Sequence, residues 1–184
     1  MFDALAGLAL PWDLVTVFQV DERVAPDGDN DRNATQLAAH LLRHVEIRKG
    51  SLHLMAVTST DLEKAAAEYA ALIDAAPLDI VHLGLGDDGH TASWPPSSSV
   101  MQRAESVAVT DVFNGRVRMT LTPAAVNTAR ARLVQVVGAS KSARVRDWML
   151  RADLPIQHVR RTGTTLLLDK AAAADLPSVA MRRR

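Results

Sequence analysis

The sequence predicts an α/β fold in which helices cover both faces of a mostly parallel sheet, a Rossmann-like three-layer architecture. Apolar runs of strand length alternate along the chain with segments that carry a helical stripe, which is the pattern of βαβ units. The 184 residues are 48% hydrophobic and only 4% aromatic. A core rich in Ala, Val and Leu favours helices packed on a sheet over an all-β fold.

Five apolar runs are short enough to be buried strands. They are residues 14–20, 52–57, 80–83, 133–137 and 164–168. Four other segments are predicted to be helical, namely residues 33–45, 61–76, 140–150 and 170–175. In the first helix Leu37, Leu41 and Val45 form an apolar stripe, and Asp61 is a good N-cap for the second.

The composition excludes several classes of protein and of site. The formal net charge is zero, so there is no basic face for nucleic acid, and the absence of cysteine excludes disulfides and thiolate metal sites. The chain lacks a signal-peptide pattern and an apolar run of the roughly 20 residues that span a bilayer, so a cytoplasmic protein without membrane contact is expected. The closing Arg182, Arg183 and Arg184 are interpreted as a solvated end. No repeat or long linker divides residues 1–184, which predicts one domain.

Residues 81–96, VHLGLGDDGHTASWPP, form the most informative loop. Gly84, Gly86 and Gly89 stand at the G-x-G-x-x-G spacing of a dinucleotide-binding turn. That interpretation is disfavoured because two prolines interrupt the helix that should follow, and because two adjacent aspartates would repel a pyrophosphate. A simple Asp-Gly turn is the other alternative.

His90 closes this loop beyond a predicted strand, at the end of the sheet where α/β proteins bind ligands. Asp88 lies two residues before it, so its carboxylate can fix the imidazole tautomer and raise the basicity of the ring. The pair favours acid–base chemistry over an isolated turn.

The same loop resembles the signature of the 6-phosphogluconolactonases, L-G-x-G-x-D-G-H-T-A-S-L-F-P, a family within the glucosamine/galactosamine-6-phosphate isomerase superfamily. Further segments resemble the family in the same order: WDLVTVFQVDERVAPDGDNDRN, GRVRMTLTPAAVNTARARLVQVVGASKSARV, LPIQHV and TLLLDKAAAADL. Arg32 stands where the family commonly has Ser. Family members begin with a further strand and a Gly-Gly-Ser-Thr-Pro-like loop, and no adjacent glycine pair occurs here. The fold of residues 1–184 is therefore expected to be N-terminally shortened, either because this is a shortened member or because the true start lies upstream.

The resemblance implies an enzyme that hydrolyses 6-phospho-D-glucono-1,5-lactone to 6-phospho-D-gluconate in the oxidative pentose phosphate pathway. It implies His90 as the general base and Asp88 as its orienting partner, both catalytic. Loop amides around Gly86 and Gly89 are candidate donors to the oxyanion.

The substrate phosphate calls for cations, and the matched segments supply Arg23, Arg118 and Lys141 as anchors. The expected substrate-binding set is Asp21, Arg23, Asn33, Gly86, Gly89, Arg118 and Lys141. Arg116 competes with Arg118 for its role, and an Arg23 that only pairs with its acidic neighbours is the alternative to anchoring. No metal or other cofactor is expected. The sugar phosphate is the expected partner, and a homo-oligomer is left open.

Two other functions remain as alternatives. Glucosamine-6-phosphate deaminases resemble this chain in the Asp-Gly-His loop but continue into an Asn-Glu-Pro segment, whereas TASWPP carries no Glu. The other alternative is a non-catalytic or decayed sugar-phosphate-binding fragment. The presence of Arg23, Asp88, His90 and Lys141 argues against decay.

Overall fold

The computed structural model describes residues 1–177, and the basic end formed by Arg182, Arg183 and Arg184 lies outside them. Eight strands occur within these residues. They are β1 (Val17–Phe18), β2 (Asp21–Arg23), β3 (Leu52–His53), β4 (Ile80–Leu83), β5 (Val107–Val109), β6 (Arg118–Leu121), β7 (Ala131–Val136) and β8 (Thr164–Leu168). The strands form three small sheets, ordered β1-β3, β2-β6-β5 and β4-β7-β8.

The helices of the described residues lie between these strands. They are α1 (Phe2–Ala6), α2 (Asn33–Leu37), α3 (Leu62–Ala75), α4 (Pro123–Thr128) and α5 (Ser142–Met149). Helix α2 continues as one π-helical segment, Ala38–Leu42. Asp61 caps α3 as predicted, because its Oδ1 accepts a hydrogen bond from the Lys64 N–H at 2.9 Å. None of the helices in this part of the chain is long and apolar enough to cross a membrane.

Two of the sheets are parallel and one is antiparallel. In the first parallel sheet β7 lies between β4 and β8, and in the second β1 pairs with β3. In the antiparallel sheet β6 lies between β2 and β5. Strands β5 and β6 and helix α4 are absent from the sequence prediction, so the fold contains an antiparallel layer that the apolar runs do not reveal.

Three predicted elements are wrong in type or length. The predicted strand at residues 52–57 is reduced to the two residues of β3. The predicted strand at residues 14–20 is replaced by a short 3₁₀ turn and the two-residue β1. Pairing stops at Gln19, whose N–H donates to the Tyr69 hydroxyl at 2.7 Å and whose carbonyl accepts from it at 3.1 Å. The predicted helix at residues 170–175 consists of turns. Asp169 Oδ1 accepts from the Ala172 N–H at 2.7 Å, and that local hydrogen bond competes with a regular helix.

Buried tryptophans join the layers of the core. Trp94 and Trp148 are fully buried, within one cluster that also includes Tyr69 of α3 and Val134 of β7. Trp94 follows the glycine loop, and its indole N–H donates to the carbonyl of Leu121 in β6 at 2.7 Å. This hydrogen bond joins the loop after β4 to the antiparallel sheet, and thus fixes the position of the loop relative to that sheet.

Candidate active site

A cavity of about 360 Å³ lies where β4 and β7 end. The two strands are parallel neighbours, so the loop after β4 and the turn after β7 meet at one edge of the sheet. The loop contributes Asp87 and His90 to the cavity wall, the turn contributes Lys141, and β2 contributes Asp21. Three groups predicted from the sequence, the His90 imidazole, the Asp21 carboxylate and the Lys141 ammonium group, therefore share one cavity.

His90 is held by Asp88 through two hydrogen bonds. The ring Nδ1 lies 2.5 Å from Asp88 Oδ1, and the same oxygen accepts from the His90 backbone N–H at 3.0 Å. Burial raises the pKa of Asp88, but the hydrogen bonds from the backbone and ring of His90 lower it more, so the carboxylate is ionised at neutral pH. An ionised carboxylate only accepts, so the proton sits on Nδ1 and the lone pair on Nε2.

Two glycines allow the close packing of this loop. A Cβ at Gly86 would lie 2.0 Å from His90 Nδ1, which shows that the ring packs directly on the backbone of residue 86. Gly89 has φ +86°, and a Cβ there would lie 2.8 Å from a methyl carbon of Leu154. Both positions require glycine for steric reasons, and Gly89 also for its left-handed backbone.

Asp21 is the second carboxylate of the cavity. Its Oδ2 accepts from the Ser93 hydroxyl at 2.7 Å, and its Oδ1 accepts from Asn33 Nδ2 at 3.2 Å. Burial raises the pKa of Asp21, an effect opposed by the Ser93 hydrogen bond and by the charges of Arg118 and Arg23. Asp21 therefore lies between the cavity, which it lines, and the guanidinium groups of Arg23 and Arg118.

Arg23 and Arg118 are directly opposite each other in the β2–β6 register. Like charges in such a pair are destabilising unless other groups compensate them. Arg23 donates to Asn33 Oδ1 at 3.0 Å and to the carbonyl of Asp31 at 2.7 Å. Arg118 is 6% exposed, and burial together with the charge of Arg23 lowers its pKa. Its Nε makes no hydrogen bond within the described residues.

Lys141 and Arg116 have acidic partners. Lys141 Nζ lies 2.8 Å from Asp87 Oδ1 at the cavity. Arg116 Nη2 lies 3.3 Å from Asp29 Oδ2 and 3.1 Å from Asp31 Oδ2. Arg116 therefore stabilises the acidic loop before α2, which favours Arg118 over Arg116 as the guanidinium closer to the cavity.

A family model described as glucosamine-6-phosphate isomerases/6-phosphogluconolactonase matches residues 1–168. The chain belongs to this family. The family resemblance predicted from the glycine loop and the segments around it is thus confirmed.

Curated relatives within the glucosamine-6-phosphate isomerase/6-phosphogluconolactonase family are named 6-phosphogluconolactonase. That of Nostoc sp. is 31% identical over 190 aligned residues, which cover 96% of this chain and 79% of the relative. That of Mycobacterium tuberculosis is 34% identical over 189 residues, which cover 92% of this chain and 76% of the relative.

Solved structures of other proteins share the fold. The crystal structure of 6-phosphogluconolactonase from Thermotoga maritima has a TM-score of 0.82 at 26% identity and covers 91% of this chain and 78% of that chain. A monomeric glucosamine-6-phosphate deaminase has a TM-score of 0.85 at 19% identity, covers 94% of this chain and 81% of that chain, and shows a common fold alone. These similarities confirm the predicted α/β class.

In this member of the family the residues expected at the site fall into two groups. Asp21, Gly86, His90 and Lys141 line the cavity. Outside that lining lie the remaining expected residues, Arg23, Asn33, Asp88, Gly89 and Arg118. Asn33 donates to Asp21 and Asp88 holds His90, whereas the charges of the two arginines act to lower the pKa of Asp21.

Phe113 is a site residue that the sequence analysis missed. Its ring lies edge-to-face with the His90 imidazole, with 5.1 Å between centroids, and the Arg118 guanidinium carbon lies 4.8 Å from its centroid. The residue stands at the start of a tight turn in which Asn114 and Gly115 both have positive φ. The Asn-Gly pair between two apolar runs was the available signal, since it predicts a β-hairpin.

Proposed function

We propose that this chain hydrolyses 6-phospho-D-glucono-1,5-lactone to 6-phospho-D-gluconate, the lactonase step of the oxidative pentose phosphate pathway. The observation that carries the proposal is the His90 imidazole, oriented by Asp88 and lining one cavity with Lys141. The names of the curated relatives in the family support the same reaction.

In the proposed mechanism His90 Nε2 takes a proton from water as the water oxygen attacks the lactone carbonyl carbon. The tetrahedral intermediate then collapses, the bond from that carbon to the ring oxygen breaks, and the imidazolium returns the proton to the ring oxygen. The new carboxylic acid ionises at neutral pH. Asp88 stabilises the imidazolium that forms between the two proton transfers, because its carboxylate stays ionised beside Nδ1.

Positive charge near the cavity supports a phosphorylated substrate. We assign phosphate binding to Lys141, Arg23 and Arg118. The facing guanidinium groups of Arg23 and Arg118 repel each other, and a phosphate dianion would relieve that repulsion.

The glycine amides have a positioning role in this proposal. The Gly86 N–H donates to the His90 carbonyl at 2.8 Å, and the Gly89 N–H donates to the Gly86 carbonyl at 3.1 Å. Both N–H groups thus form hydrogen bonds within the loop. These hydrogen bonds fix the loop backbone around His90, so the two N–H groups are not available to the oxyanion. We assign Asp21, which lines the cavity, to the sugar hydroxyls, and Asn33, which donates to Asp21, to holding that carboxylate in place.

The proposed reaction is tested by substituting the base. We expect His90→Ala to lower kcat for lactone hydrolysis by about 10²–10⁴-fold while the protein remains folded. His44→Ala, at an exposed position outside the cavity, is the matched control and should keep full activity. Because the lactone opens spontaneously, each rate is measured as the excess over an enzyme-free reaction.

Each competing function has its own result. Full activity in His90→Ala would remove His90 from the chemistry. A wild-type protein that binds 6-phosphogluconate without accelerating lactone opening is a non-catalytic binder, and release of ammonia from glucosamine-6-phosphate would identify a deaminase. The single domain, the cytoplasmic location and the oligomeric state stay predictions.

A further inference from the structure

Asp87 is a charged group of the cavity that the proposed reaction does not use. Its Oδ1 lies 2.8 Å from Lys141 Nζ, and both residues line the cavity together with His90. Its carbonyl oxygen accepts from Arg144 Nε at 2.8 Å, and Arg144 is itself paired with Asp147 at 2.7 Å. The backbone of residue 87 is therefore tied to α5, which keeps the carboxylate beside the ammonium group.

In this ion pair Asp87 is bound to the ammonium group of Lys141, which a phosphorylated ligand would also need. The Lys141 side chain is 22% exposed, and Asp87 is its one acidic partner within 4.0 Å among the described residues. The Asp87 side chain is 75% exposed, so its carboxylate can turn into solvent without breaking packing contacts. A phosphate group that reaches Lys141 must displace this carboxylate or share the ammonium group with it.

We propose that Asp87 is an internal competitor for Lys141, which weakens the binding of phosphorylated ligands at the cavity and thereby sets their affinity. The inference rests on the proposed function for the identity of the ligand. The carboxylate carries one negative charge, whereas a phosphate monoester carries about two at pH 7, so the ligand prevails at sufficient concentration. Removal of the carboxylate frees the cation and removes a repulsion.

Binding measurements on Asp87→Asn test this competition. We expect the Kd for inorganic phosphate and for 6-phosphogluconate, measured by titration calorimetry, to fall by about 3–10-fold, the range for a partly exposed charge near a dianion. Asp79→Asn is the matched control, since Asp79 Oδ1 lies 2.8 Å from Arg130 Nη1 and its side chain is 69% exposed, outside the cavity. The control should leave both Kd values unchanged.

A second variant identifies Lys141 as the group for which Asp87 competes. In a Lys141→Met background, Asp87→Asn should no longer change the Kd for phosphate. A tightening that persists without Lys141 would overturn the competition, because it would reflect the general field of the loop. An unchanged or higher Kd in Asp87→Asn alone would overturn the competition too, since Asp87 would then orient Lys141 for the ligand.

The outcome is distinguishable from that of the lactonase proposal. Phosphate binding requires no turnover, so tightening in Asp87→Asn supports the inference even in a protein that fails to accelerate lactone opening. If the lactonase reaction is present, KM should fall in Asp87→Asn while kcat changes little.

Discussion

Gly86→Ala is the substitution that most directly displaces the His90 imidazole, the proposed general base. The added Cβ would lie 2.0 Å from His90 Nδ1 and 2.1 Å from Cε1, whereas ordinary contacts begin at 3.4 Å. The ring must move by more than about 1 Å, which breaks the 2.5 Å contact with Asp88 and takes Nε2 away from its position. A misplacement of that size costs about 10²-fold in rate, and complete loss of the base costs up to about 10⁴-fold.

The assay compares two alanine substitutions in one loop. A Cβ at Gly84 would meet no atom within 4 Å, and Gly84 lacks a positive φ, so Gly84→Ala adds the same methyl group without displacing His90. We expect kcat of Gly86→Ala to fall by about 10²–10⁴-fold in a protein that remains folded, and kcat of Gly84→Ala to stay within about threefold of wild type. An equal loss in both variants, or full kcat in a folded Gly86→Ala, would refute this reasoning.

Two more predictions concern Phe113 and Glu22. Phe113→Leu removes the aromatic contacts to His90 and Arg118, so kcat should fall by about 3–10-fold in steady-state assays, and Phe113→Tyr should retain most of it. Glu22→Gln should lower the free energy of unfolding at pH 7 by about 3 kcal/mol in denaturant titrations, because it removes the buried carboxylate 3.0 Å from Arg32 and leaves that guanidinium only the exposed Asp27 as a counter-charge. Burial raises the pKa of Glu22, but four hydrogen bonds to the carboxylate lower it overall. Its stabilisation is therefore present above about pH 4.3 and is lost in acid, so the difference between wild type and Glu22→Gln should shrink as the pH falls; a constant difference would contradict this role.

The parallel part of the fold could be predicted because it follows from local patterns. Strands β4, β7 and β8 lie within or close to the apolar runs, and α3 begins after its N-cap at Asp61. The antiparallel sheet could not be found in this way. Residues 118–121 of β6 read RMTL, an alternation of polar and apolar residues that is typical of a strand, but they contain no apolar run. All four are buried, including Arg118 and Thr120.

The site was predictable to the extent that its groups are close in sequence. Asp88 and His90 are two residues apart, and their hydrogen bond follows from the turn between them. The Lys141–Asp87 ion pair joins loops that follow different strands, so it depends on the order of strands in the sheet. Sequence spacing contains no information about that order. Phe113 was missed for the same reason, since it reaches His90 only through the antiparallel hairpin.

The Asp-Glu-Arg segment of β2 shows how one short strand serves two purposes. Successive side chains of a strand point to opposite faces, so Asp21 and Arg23 face the cavity side while Glu22 faces the interior. The Glu22 carboxylate is fully buried and accepts the backbone N–H groups of residues 33 and 34 at the start of α2, at 2.7 and 2.8 Å. Asn33, fixed in this way, donates to Asp21 and accepts from Arg23. A loss of activity on substitution of Glu22 would therefore reflect the displaced positions of its two neighbours, so the chemical role of this segment must be tested at Asp21 and Arg23.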